Sequence, residues 1–66
     1  MVNPIIRVLL ADDTLIAREG WSRILDPIED ILVVGEAEHT LEIDRMVNEL
    51  MPEILLMDLN WMGDVD

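Results

Sequence analysis

Apolar residues along the chain follow two spacings, short unbroken runs and longer stretches with a helical period. The run Ile5 to Ala11, interrupted only by Arg7, is rich in β-branched residues and leaves no polar face, the pattern of a strand covered on both sides. From Leu15 the spacing lengthens: Ile16, Gly20, Trp21, Ile24 and Leu25 recur at helical intervals, while Arg18, Glu19 and Arg23 take the opposite side. The spacing predicts an amphipathic helix that stops by Leu25 or Asp26, because Pro27 disfavours helical geometry in the residue before it. Ile31 to Val34 is a second buried strand, closed by Gly35 and followed by the polar stretch Glu36 to Thr40. Thr40 is placed to cap a second helix, with Glu42 and Asp44 near the positive end of its dipole. In that helix Ile43, Met46, Val47 and Leu50 fall at i, i+3, i+4 and i+7, and the pattern ends before Pro52. Ile54 to Met57 supplies a third strand, and Asp58 to Asp66 reads as a loop.

Strand, helix, strand, helix, strand is the order of a parallel α/β sheet, since parallel strands need crossovers and a helix is the usual one. Neighbouring parallel strands finish on the same side. The pair Asp12 and Asp13 follows the first strand and Asp58 follows the third, so the topology gathers three carboxylates at one sheet edge. An Asp-Asp pair taken alone is ordinarily a solvated turn or a helix cap, and a lone Asp after a strand says little. Together the three are crowded anions that would raise at least one carboxylate pKa unless a cation offset them. A hard divalent metal and a phosphoryl group are the simplest ligands for such a site.

Composition narrows the alternatives. Sixty-six residues allow one domain at most, with about 60% of the unfolded surface removed from water. A hydrophobic share of 52% excludes a disordered segment, and with only Trp21 and Trp61 as aromatics the core must be aliphatic, the methionines serving as filler. Fifteen acidic residues against four arginines give a formal charge of −11, which argues against direct binding of nucleic acid or an anionic membrane. The absence of cysteine removes disulfides and thiolate zinc sites, and no apolar run approaches the ~20 residues of a membrane span, so a soluble cytoplasmic protein is expected. With no lysine, a phosphate-binding loop ending in Gly-Lys-Ser/Thr is excluded. Phosphatases of the haloacid dehalogenase type carry a second Asp two positions after their nucleophile, where this chain has Asn60, unable to act as a general acid. His39, the single histidine, is expected to be solvated in a polar loop.

Four segments carry a family resemblance. Leu10-Ala11-Asp12-Asp13, Arg18-Glu19-Gly20, Val33-Val34-Gly35-Glu36-Ala37 and Leu56-Met57-Asp58-Leu59-Asn60 resemble receiver domains of two-component response regulators, in the family's order and near its spacing. The Arg18-Glu19-Gly20 segment is similar to the branch whose receivers precede a helix-turn-helix DNA-binding domain. The resemblance implies a flavodoxin-like α/β fold with strand order 2-1-3. Residues 1–66 would form a partial receiver domain holding its first three strands and first two helices. It further implies that Asp58 is the phosphoacceptor, taking a phosphoryl group from a phosphohistidine of a sensor histidine kinase, so that the chain is a signalling module rather than an enzyme. Mg²⁺ would be the one cofactor, held by Asp13 directly, by Asp12 directly or through water, by one oxygen of Asp58 and by the backbone carbonyl of Asn60. DNA would be reached only through an output domain outside this segment.

The chain departs from the family pattern in two places. Trp61 and Met62 stand where receivers have Met-Pro, although Gly63 matches, and loss of the proline predicts a looser loop beside the acceptor. The family's Ser or Thr after a fourth strand and Lys after a fifth are not among these residues, and arginine does not replace a compact ammonium. The 66 residues alone are therefore expected to bind Mg²⁺ without taking up phosphate efficiently. The alternative is a short or degenerate receiver that works as a phosphorylation-independent interaction or dimerisation module, self-associating through an exposed sheet edge.

Overall fold

A computed structural model describes residues 4–58, in which β1 (Ile6–Ala11), α1 (Leu15–Leu25), β2 (Ile31–Ala37), α2 (Thr40–Leu50) and β3 (Ile54–Met57) follow one another. The three strands form one sheet in the order β2-β1-β3 with both pairings parallel, the arrangement of the first half of an α/β receiver domain. Right-handed crossovers put the helices on opposite faces, because the first moves outward to β2 and the second returns across β1 to β3. The middle strand therefore holds the core: Val8, Leu9, Leu10 and Ala11 are buried, with Leu9 at 0% exposure, and Ala37 of β2 joins them.

Gly35 does not close β2, which continues through Glu36 to Ala37. The β1 register passes from Val8↔Val33 to Leu9↔Gly35, so Val34 is an extra residue, a bulge that bends the strand locally. At Gly35 the side chains of α2 lie directly against the strand. A Cβ there would meet Leu50 Cδ1 at 2.6 Å and Met46 Cε at 3.0 Å.

The N-cap of α2 is His39, one residue before the expected Thr40, which is already helical. Glu42 makes this start work by reaching back: its Oε1 accepts the backbone N–H groups of His39 and Glu38, each at 3.0 Å. His39 is thus part of a helix terminus and not simply a loop residue. At the other end Met51 takes a left-handed conformation with φ 51°, ahead of Pro52, and Arg7 donates its guanidinium to the Leu50 carbonyl. The single interruption of the first apolar run therefore places a cation on the negative end of the second helix.

Helix α1 spans the predicted residues, with Thr14 as N-cap and Asp26 as C-cap, but it is rotated relative to its apolar stripe. Arg18, expected on the solvent side, is buried, whereas Ile16 is 86% exposed and Ile24 is also open. The sheet beneath the helix is too narrow to cover the whole stripe, and burial within α1 falls on Ala17, Arg18, Ser22 and Leu25. Among the described residues β3 pairs only with β1, leaving an edge with Ile54 and Leu55 exposed. No helix among them is long and apolar enough to cross a membrane.

Candidate functional site

Ala11 and Met57 are register partners in the parallel ladder, so Asp12 and Asp58 leave the sheet side by side at its carboxyl-terminal edge. Both line a cleft of about 380 Å³ together with Leu10, Arg18, Trp21 and Met57. A wider groove of about 500 Å³ lies at the other end of the sheet, between Leu25, Pro27 and the first residues of β2, and no strand-tip acid reaches it. The ligand-like chemistry sits at the smaller hollow.

Asp12 is held at three points. Its N–H extends the ladder to the Ala37 carbonyl at 3.1 Å, its own carbonyl accepts from Arg18 Nη1 at 2.7 Å, and its Oδ1 accepts from the Thr14 N–H and hydroxyl, both at 2.9 Å. Donors aimed at a carboxylate favour its charged form. The Thr14 N–H accordingly holds the Asp12 pKa below its usual value, against an opposing effect of burial and with further help from the Thr14 hydroxyl, Asp13 and the Arg18 charge. Asp13, next along, is exposed.

The four expected metal ligands are distributed unevenly. Asp12 meets Asp13 on one side and shares the cleft with Asp58 on the other, while Asn60 falls outside the described residues, as does the Trp61-Met62-Gly63 loop. Among the described residues no group of three or more His, Cys, Asp or Glu side chains forms a closed ligand set. The donors are nonetheless hard oxygens, and Thr14 occupies only one oxygen of Asp12. Mg²⁺ characteristically takes one or two carboxylates and keeps several waters, so this partial set fits it better than it fits a metal needing an all-protein cage.

The sequence pattern missed the supports around these acids. Arg18 bridges the Asp12 carbonyl and the Glu36 carboxylate, the latter at 3.1 Å, and so joins α1 to the ends of β1 and β2. Its polar character placed it on the solvent face, and only the position of Glu36 at the end of an extended β2 would have signalled otherwise. Thr14 had a clear signal, a hydroxyl directly before the first periodic residue and three before Ala17, whose N–H it caps at 3.4 Å.

A parallel α/β sheet with acids on adjacent strand tips is the class that this geometry defines. Within it, the chain is 40% identical over 53 residues to the transcriptional regulatory protein YdfI of Bacillus subtilis, covering 80% of this chain and 25% of that protein. It is 46% identical over 54 residues to the transcriptional regulatory protein LiaR of the same organism, covering 82% and 26%, and 38% identical over 58 residues to the response regulator GacA of Pseudomonas aeruginosa, covering 88% and 27%. The chain thus spans about a quarter of the length of the curated relatives it matches. No family model and no solved structure matches it.

Proposed function

We propose that this chain is the phosphoacceptor portion of a response-regulator receiver domain, with Asp58 as the acceptor. One observation carries the reading: the register that sets Asp58 beside a fixed, charge-favouring Asp12 at the carboxyl-terminal edge of a 2-1-3 parallel sheet. Its similarity to transcriptional regulators along most of its length supports the same reading.

In the transfer step a carboxylate oxygen of Asp58 forms a bond to phosphorus as the phosphorus–nitrogen bond of a kinase phosphohistidine breaks. The imidazole leaves with the bonding pair and recovers a proton from solvent. Asp12, Asp13, Asp58 and the Asn60 carbonyl would hold Mg²⁺, which when bound supplies positive charge against the phosphoryl oxygens. Asp12, already ionised and held by Thr14, needs no rearrangement to present its second oxygen. The sensor histidine kinase is the donor, the module acts in the cytoplasm and is itself no enzyme, and any DNA contact belongs to another part of a longer protein. The edge that β3 leaves unpaired among the described residues favours a second reading, a phosphorylation-independent module that self-associates, whose function would survive Asp58→Asn.

Phosphoramidate with Mg²⁺ tests the chemistry directly. Intact protein mass should rise by one phosphoryl group, the gain should disappear in Asp58→Asn and on chelation, and hydroxylamine should release it as expected for an acyl phosphate. The 66 residues, which contain no lysine, should label about 10²-fold more slowly than a receiver that holds a lysine beside its acceptor. Labelling unaffected by Asp58→Asn would refute the assignment.

A further inference from the structure

We infer that Arg18 is a positioning residue for the acidic pair, fixing the peptide between Asp12 and Asp13 and thereby the direction in which the Asp13 side chain leaves the strand. The inference rests on the metal role proposed above for these two acids. A peptide unit is planar, so the hydrogen bond that orients the Asp12 carbonyl also orients the Asp13 nitrogen and restrains its Cα. The ladder bond to Ala37 holds the near side of Asp12 and Thr14 holds its carboxylate, but neither acts on the plane beyond it. Arg18 Nη1, 2.7 Å from the carbonyl oxygen, supplies that hold.

Stability alone is a poor account of this side chain. Arg18 is only 8% exposed, and a buried charge costs more than an aliphatic side chain filling the same space unless its pairing is very good. Its acidic partner, Glu36, is itself partly exposed, which weakens the attraction. What the guanidinium offers is a fork: Nη1 reaches the carbonyl while Nε, 3.1 Å from Glu36 Oε1, fixes the plane of the group against β2. A lysine has one nitrogen and cannot reproduce both contacts in that geometry.

The test compares Arg18→Lys, Arg18→Met and Glu36→Gln with a control, Val8→Ala, which destabilises β1 through its buried core at a distance from the acids. Calorimetric Mg²⁺ titration and the amide resonances of Asp13 and Thr14 are read on protein shown to be folded by circular dichroism. Arg18→Lys and Arg18→Met should weaken Mg²⁺ binding about tenfold and broaden or shift the Asp13 amide, since supports of metal ligands carry effects of this size. Glu36→Gln should stay within about twofold, and Val8→Ala should lose stability without changing affinity. Restoration of both readouts by Lys would reduce Arg18 to a source of charge, and an unchanged Asp13 amide in Arg18→Met would overturn the inference. If the parent protein binds no Mg²⁺, the metal reading fails, and the Asp13 amide alone then decides the positioning role.

Discussion

β1 buries Val8, Leu9, Leu10 and Ala11 and carries ladder bonds on both sides, while β3, a strand of four residues beside it, is bonded among the described residues on one side and leaves Leu55 37% exposed. The two strands deliver the acids of one candidate site, yet they deliver them from different mechanical settings. Asp12 leaves a strand that is packed on every side and is then pinned by Thr14 and Arg18. Asp58 leaves an edge strand. The Asp12 side of the site is therefore built into the best-packed element, and the Asp58 side follows a short strand that is paired, among the described residues, with β1 alone.

Truncation of the two strands should expose this difference most plainly. Leu9→Ala removes a fully buried side chain and should cost about 3 kcal/mol, a large share of the stability of a small domain, whereas Leu55→Ala should cost less than about 1 kcal/mol. Urea denaturation of both variants measures the gap, and equal losses would break the comparison. The next largest effect separates the two glycines. Gly35→Ala brings a methyl group against the movable ends of Leu50 and Met46, which can shift aside, so it should cost no more than about 1 kcal/mol, and a Leu50→Ala background should recover much of it. Gly20→Ala, with nothing within 4 Å of the new methyl group, should instead stabilise α1 by up to about 1 kcal/mol.

The fold was largely legible in the chain because β1, α2 and β3 each have one periodicity and clear stops at Pro or at strand-end acids. Gly35 misled for a physical reason: the same lack of a side chain that marks a turn also permits close helix packing, and only the tertiary neighbour Leu50 distinguishes the two. Arg18 misled because amphipathic reading sorts residues by polarity, while a guanidinium can be buried when a carbonyl and a carboxylate from other elements meet it. The acids themselves were readable, since parallel topology alone brings strand ends together, and the Ala11↔Met57 register agrees. Of their hydrogen-bonded supports, Thr14 carries a local signal as the hydroxyl before the first helical residue, whereas Arg18 acts through tertiary geometry that local spacing does not encode.

Thr14→Ala gives the smallest effect and the finest test of how the β1 tip is held. It removes an N-cap of α1 and should cost about 1 kcal/mol at neutral pH in a thermal or urea melt. It also removes the hydroxyl bond to Asp12 but leaves the stronger influence, the backbone N–H of residue 14. The sign of the pH dependence follows from the lowered pKa of Asp12. Stability from a depressed carboxylate is fully present above its unfolded value, near 3.8, and is lost as pH falls through the lower folded value. The parent should therefore lose stability on acidification below about pH 4, Asp12→Asn should lose less, and Thr14→Ala should fall between them. Glu42 is lowered as well, chiefly by the His39 N–H, so the series is best measured in a Glu42→Gln background. A slope in Thr14→Ala as shallow as in Asp12→Asn would show that the hydroxyl, and not the backbone turn, fixes the charge state at this strand tip.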